Sequence, residues 1–531
     1  MKSSFELAVR NVATWGDTDV FPFAPEGHVF HDRVDEVTTL LLRLHSDFKD
    51  RYLADPPTSE VALQLITTEG FRWASQIDPV WNAYLLGLVI EAAPAIEAKR
   101  MAWNRNAVFS YRFEIDGERA SLFRSHSWAD FATRSEELAK ENEFVIVADI
   151  ADFYGRIYHH RVENSLQELK LSNDTPKRID KILGDLAGGV SYGLPVGGPA
   201  ARALSEVTLA RVDTLLDMEG IVFCRFADDY RLFAKTEQDA YRQLILLTEY
   251  LMEHEGATLQ KHKTRVIKSK DFLRAPLFVA EDTADLTHEE RQERKFVRLS
   301  LRYDPYSTNA EADYERLRQE LEEFDILNML NREISKSRVN VPVVRRIAQA
   351  LKFVADDVQE AAVGTIVDNL EMLAPAMPVV LRVLDDLAAG LPLDSRAALT
   401  GDLRRRLSEG AYYLSLPMNT AYVFRVLRHE NSEENLALAR AVYDSGKAPA
   451  FLQRDIVLHM HNWGSGAFIS RERRRYFDRH PWVQRAIMMS SYILGDEGKH
   501  WRRSLNLSPF DAIAREWRAE KVHSGREDIP L

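Results

Sequence analysis

Three aspartates stand where a folded chain can bring oxygen ligands together. Asp149 closes the apolar run Phe144-Val-Ile-Val-Ala, and Asp228-Asp229 separates two further runs, Ile221-Val-Phe-Cys-Arg-Phe and Tyr230-Arg-Leu-Phe-Ala. Strand-length runs joined this tightly predict a hairpin with the Asp pair at its tip. Adjacent carboxylates in a tight turn repel each other, which is costly without a neutralising cation. Three converging carboxylates suit a pair of Mg2+ ions, with Mn2+ as the substitute, because both take hard oxygen ligands and leave sites for water and phosphate. Two such ions support in-line displacement at phosphorus, activating a 3′-hydroxyl and stabilising departing pyrophosphate. Singly, each signal has a plainer reading, a solvated loop tip for the pair and a helix cap for a strand-end Asp such as Asp152.

The elements that must position these groups fall into two unlike parts. From about residue 60 to 275, helical stretches alternate with short β-rich runs, and Val207, Leu209, Ala210 and Leu215 place a helix over Ser205–Met218. From about residue 309 onward strand signals almost vanish. Helices are expected over Tyr314–Glu333, Val343–Ala355, Val358–Met372 and Val379–Ala389, with turns at Gly390-Leu-Pro, Gly401, Gly410, Gly446 and Gly464-Ser-Gly. Helix pairs recurring every 35–40 residues or so suggest an α-solenoid of the HEAT type. No repeated consensus is visible, so an irregular helical platform stays open.

At 531 residues, more than one domain is expected. The net charge of -12 argues against a generally basic nucleic-acid binder, but local Lys and Arg clusters decide phosphate affinity. Such clusters occur at Arg404–Arg406, Arg471–Arg475 and Arg502–Arg503, with Tyr476, Phe477 and Trp501 nearby; they suit single-stranded nucleic acid or a solvated helix face. A single cysteine, Cys224, rules out an intrachain disulfide and a Cys-based zinc site. The start, Met-Lys-Ser-Ser-Phe-Glu-Leu, lacks the apolar stretch of a secretory signal, and the most apolar window, Ala83 to Ile90, is far shorter than a membrane span. A cytoplasmic protein without membrane attachment is the expectation.

The ordered motifs bear a resemblance. Asp149-Ile-Ala-Asp-Phe-Tyr resembles motif A of reverse transcriptases, and Phe226-Ala-Asp-Asp resembles motif C, more often written with tyrosine first. Between them, Gly193-Leu-Pro-Val-Gly-Gly-Pro-Ala-Ala-Arg is similar to motif B, and Gly256-Ala-Thr-Leu-Gln-Lys-His-Lys-Thr264 to motif D. Thr14-Trp-Gly-Asp-Thr-Asp-Val-Phe-Pro-Phe resembles a segment of prokaryotic defence-associated reverse transcriptases, the abortive-infection and unknown-group enzymes. The Phe226 position and the Gly-Gly-Pro form of motif B depart from the usual pattern.

The resemblance implies an α+β fold, a right-hand fingers-palm followed by an all-α HEAT-like repeat domain. Its expected boundaries are 1–100 for an N-terminal helical and fingers segment, 101–275 for the fingers-palm core and 276–531 for the helical domain. It implies Asp149 and Asp228 as principal metal ligands and Asp229 as a weaker one. Lys263 would protonate the leaving pyrophosphate, or be merely solvated. Tyr154 would be the steric gate that rejects a 2′-hydroxyl, or a core aromatic, with Phe153 the better core candidate beside it. Gly197 and Gly198 would let the backbone approach a base pair, or form a simple turn. Arg112 or Arg124 would meet the triphosphate of the incoming dNTP, or be a surface arginine. The implied activity is DNA synthesis during antiphage defence, templated by a non-coding RNA or untemplated and primed by the protein itself, leaving the DNA product covalently attached. A homo-oligomer is compatible with a solenoid. An RNA polymerase or cyclase on a related palm, and a catalytically silent nucleic-acid scaffold, are the alternatives.

Overall fold

The computed structural model describes residues 1–274 except 19, 68 and 172–173, residues 310–531 except 337–338, and within 275–309 only 292, 295, 296, 299 and 301. Two compact units result. One comprises Met1–Thr18, Thr38–Ser59 and Ile77–Arg294, the other Asp19–Val37, Glu60–Gln76 and Lys295–Leu531. This division differs from the contiguous boundaries at 100 and 275 read from the sequence, because two N-terminal stretches belong with the helical half.

Eight strands occur among the described residues: β1 (Ser59–Leu65), β2 (Phe71–Ile77), β3 (Phe113–Asp116), β4 (Ser121–Phe123), β5 (Phe144–Asp149), β6 (Val222–Phe226), β7 (Asp229–Ala234) and β8 (Arg265–Lys268). The last four form an antiparallel sheet in the order β6-β7-β5-β8. The inner strands β5, β6 and β7 are largely buried, whereas the edge strand β8, with Arg265 and Lys268 at its ends, is not. On one face Val145, Cys224 and Phe233 pack with Phe131, Leu138 and Ala139 of the helix Ser127–Glu141. On the other lie Ile146, Phe223, Leu232 and Tyr230, all buried, and the Tyr230 hydroxyl donates to Asp213 on the helix Pro199–Met218 at 3.1 Å. That helix starts six residues before the expected Ser205, with Pro199 in its first turn, where a missing N–H costs nothing.

The most apolar window proves to be part of a longer helix, Pro79–Lys99, capped by the Asp78 side chain. By length and composition it could cross a membrane, but 78% of its apolar stretch is buried inside the protein, as in a core helix.

In the second unit two files of helices run side by side. In one, Val341–Ala350 packs on Met377–Ala388, followed by Pro417–Leu427, Ala450–Asn462, Pro481–Ser490 and Pro509–His523, each touching the next. In the other, Ile326–Ile334, Asp356–Asp368, Leu393–Ser408 and Glu433–Asp444 follow one another likewise. The expected helix Tyr314–Glu333 is two, Ala310–Glu322 and Ile326–Ile334, because the Asp325 side chain caps a new start by accepting from Asn328 N–H. Buried ion pairs fix the N-terminal stretch in this unit. Glu26 takes Arg485 at 2.8 Å and Arg454 at 3.5 Å, Arg425 donates to the Phe23 carbonyl at 3.1 Å, and Tyr422 donates to the Val20 carbonyl at 3.2 Å. Burial works to raise the Glu26 pKa, yet Arg454 and Arg485 hold the carboxyl below its ordinary value.

Candidate active site

The sheet register brings the three aspartates to one end. Asp149, the last residue of β5, lies directly opposite Asp229, the first of β7, and the Ile150 N–H donates to the Asp228 carbonyl at 3.1 Å. The β6–β7 turn is made by Ala227 and Asp228, and Ala227 adopts the left-handed conformation, φ +53°. The segment after Gly256 is strapped alongside β5. Ala151 N–H donates to the Thr258 carbonyl at 2.8 Å, and Gln260 N–H to the Asp149 carbonyl at 2.7 Å. This strap delivers Lys263, whose Nζ sits 2.8 Å from Asp149 Oδ2. Asp149, Asp228, Asp229 and Lys263, four candidates from three separate parts of the sequence, thus form one cluster.

Its electrostatics are unfavourable as they stand. Burial, then the charges of Asp229 and Asp149, push the Asp228 carboxyl up to about 7. Burial and Asp149 also raise Asp229. Burial opposes the charge on Lys263, but the Asp149 carboxylate beside it keeps its pKa above the ordinary lysine value. Among the described residues no three His, Cys, Asp or Glu side chains are grouped tightly enough to make a ready metal cage. The donor set nevertheless fits a divalent ion. It offers hard carboxylate oxygens on neighbouring strands, with mutual repulsion that Arg231 and Lys263 only partly offset and that a cation would relieve.

Motif A and motif B residues line up beside this cluster. The Leu194 N–H donates to the Tyr154 carbonyl at 2.8 Å, and Gly193 N–H to the Ile157 carbonyl at 2.9 Å. Phe153 is buried, with its ring 5.2 Å from that of Tyr154. Tyr154 is half-buried with its hydroxyl enclosed, and burial, then Tyr111, push its pKa well above the ordinary tyrosine value. Gly197 has φ +129°, which a residue with a Cβ resists. Gly198 caps the helix Pro199–Met218, and a Cβ there would meet the Asp17 carbonyl oxygen at 3.2 Å. Asp152 is exposed at the start of the helix Phe153–Arg156, and its side chain makes no capping bond.

Arg112 is committed to the fold. It is buried, with Nη2 2.8 Å from Glu97 and Nη1 donating to the Met101 carbonyl at 2.8 Å, so its fork is spent on the fold. Arg124 is 39% exposed and lies over the Trp103 ring at 4.3 Å. The arginine clusters of the helical unit are mostly committed as well. Arg471 binds both Asp444 oxygens at 2.9 Å, Arg406 pairs with Asp402 at 2.5 Å, and Arg502 is buried on Ser491 and the Tyr492 ring. Of the aromatics beside them, Tyr476 is buried and Phe477 is exposed.

Sequence reasoning missed a buried charged network behind the hairpin. Arg225 and Glu206 are both completely buried, and Arg225 binds Glu206 and Asp213 bidentately. The readable signal was a charged residue inside an otherwise apolar strand, which demands partners.

Residues 98–295 match the family Reverse transcriptase (RNA-dependent DNA polymerase). No curated protein matches the chain. Among solved structures, apo telomerase from Candida Tropicalis is similar at 10% identity and TM-score 0.33, covering 73% of this chain and 74% of that one. Telomerase from Candida albicans in complex with a TWJ fragment of telomeric RNA is similar at 12% identity and TM-score 0.31, covering 71% and 69%. Likenesses this remote have no bearing on function. The ordered motifs and the family match agree, and the chain carries a reverse transcriptase domain over residues 98–295 that makes it an RNA-directed DNA polymerase, a nucleotidyltransferase.

Proposed function

We propose that the domain extends DNA from deoxynucleoside triphosphates by a two-metal reaction, with Mg2+ or its substitute Mn2+ held by Asp149 and Asp228 and, more weakly, by Asp229. The observation that carries this reading is the register placing Asp149 opposite Asp229, with Lys263 against Asp149. When bound, the ions neutralise the carboxylates, ease ionisation of the 3′-hydroxyl and stabilise the departing pyrophosphate. In the transfer, the 3′-oxygen bonds to the α-phosphorus as the bond to the bridging oxygen of pyrophosphate breaks. The hydroxyl proton passes to water, and the Lys263 ammonium, kept charged by Asp149, protonates the pyrophosphate.

Tyr154 takes the gate role, its ring beside Phe153 leaving no room for a 2′-hydroxyl. Gly197 and Gly198 give the backbone its close approach to a base pair. Of the two arginines considered for the triphosphate, Arg124 keeps the role on exposure: Arg112 is buried against Glu97 at 2.8 Å, whereas Arg124 is 39% exposed and its ion pairs to Glu114 and Asp130 are long, at 4.0 and 3.9 Å. The two files of helices support a HEAT-like repeat reading of the second unit.

We place the enzyme in cytoplasmic antiphage defence on the likeness of Thr14–Phe23, copying a non-coding RNA or adding deoxynucleotides without a template onto its own hydroxyl. The test is incorporation of labelled deoxynucleotides by the purified chain with Mg2+, before and after removal of co-purified RNA. Asp228→Ala is expected to abolish incorporation with the thermal transition retained, and preferential use of ribonucleotides would overturn the reading. Loss of phage resistance in cells carrying that variant tests the defence role; full resistance would remove it.

A further inference from the structure

We infer that Arg225 is a positioning residue for the catalytic turn, clamping the Ala227 carbonyl against Glu206 and so setting the backbone from which Asp228 and Asp229 project. All five of its N–H groups are engaged. Nε and Nη2 donate to the two Asp213 oxygens at 2.8 and 2.6 Å, Nη2 and Nη1 to the two Glu206 oxygens at 2.9 and 3.1 Å, and Nη1 to the Ala227 carbonyl at 2.9 Å. The arginine is itself held from both sides. Its N–H donates to the Ala107 carbonyl at 2.7 Å and its carbonyl accepts from Phe109 N–H at 3.0 Å. Glu206 also takes Arg100 and the Ser110 hydroxyl, each at 2.6 Å, which ties the network to the end of the helix Pro79–Lys99 and to the segment before β3.

Buried ion networks add little net stability, since apolar side chains of similar volume often serve as well. This one ends on the carbonyl one residue before Asp228, and that residue holds a left-handed backbone. A residue with a Cβ keeps such a conformation only where its surroundings impose it. Metal-ligating carboxylates tolerate little misplacement, so a fixed turn is worth its buried charges. Lysine cannot replace the guanidinium, because a point charge with three donors cannot serve two carboxylates and a carbonyl in one plane.

The inference rests on the polymerase reading, and the wild-type chain tests that reading by incorporating deoxynucleotides; the clamp is tested by variants of the active protein. Arg225→Lys is expected to lower kcat by about tenfold or more while KM for the deoxynucleotide stays within roughly threefold. In protein without nucleotide, the Mn2+ concentration giving a half-maximal thermal shift rises by about tenfold in this variant, a readout independent of turnover. Adding Ala227→Gly, which accepts the left-handed φ without a clamp, is expected to restore much of the lost kcat. A gain from Ala227→Gly equal in the wild-type and Arg225→Lys backgrounds, or an unchanged Mn2+ requirement in Arg225→Lys, overturns the proposal. Where Arg225→Lys does not fold, recovery of folded protein by Ala227→Gly supports the clamp, and no recovery overturns it.

Discussion

His459 offers a quantitative test of the helical unit. It lies on the helix Ala450–Asn462, fully buried, with its ring stacked on Trp463 at 5.5 Å and tilted against Phe424 at 6.2 Å. Neither ring nitrogen has a hydrogen-bond partner among the described residues. Burial, then the Arg425 charge, depresses its pKa from 6.5 to about 3, against the opposing pull of Asp455. The unfolded chain therefore binds a proton below pH 6.5 that the folded chain refuses until about 3, so folding stability is present above 6.5 and is lost as pH falls through that window. Between neutral pH and about pH 5 the loss from this one ring is about 2 kcal/mol. His459→Phe removes the titration and keeps the stacking on Trp463. Denaturant unfolding of the helical unit, followed near pH 7 and near pH 5, is expected to show the variant equal to wild type within about 1 kcal/mol at the higher pH. At the lower pH the variant is expected to be more stable by about 2 kcal/mol. A difference that does not change with pH would refute the argument.

Other outcomes follow from named contacts. Tyr154→Ala should admit ribonucleotides, raising their kcat/KM relative to deoxynucleotides by about tenfold or more, read by competing the two sugars; unchanged selectivity removes the gate. Gly198→Ala drives a Cβ to 3.2 Å from the Asp17 carbonyl oxygen. It should cost about 1–2 kcal/mol, seen as a lower Tm of the polymerase unit. Glu26→Gln leaves Arg485 and Arg454 short of a buried counter-charge and should destabilise the helical unit by about 3 kcal/mol in denaturant unfolding. Lys263→Ala should lower kcat by about a hundredfold with little change in KM, and Lys263→Arg should fall less far, as a proton donor of the wrong pKa still offers charge.

The palm was legible because its chemistry is local. An apolar run that stops at Asp149 and two runs parted by Asp228-Asp229 define strands, hairpin and carboxylates within a few residues each, and the register then follows from burial. The helix over Pro199–Met218 was read from its apolar spacing, with only its start missed at Pro199. The remainder depended on partners distant in the chain. Nothing near Glu26 indicates that it is buried against Arg485, more than four hundred residues away. Arg112 looks no different in sequence from an arginine open to a triphosphate, and only Glu97 and the Met101 carbonyl show where it goes. The break at Asp325 was readable, since an Asp before an apolar run is a helix start, but the periodicity on either side masked it.

The most direct test of the account is deoxynucleotide incorporation by purified wild-type, Asp149→Asn and Asp228→Asn chains, with thermal unfolding measured in the presence and absence of Mn2+. The account predicts synthesis by wild type alone, together with a Mn2+-induced rise in Tm that both variants lose while remaining folded. Synthesis by either variant, or an equal Mn2+ shift in all three, would contradict it.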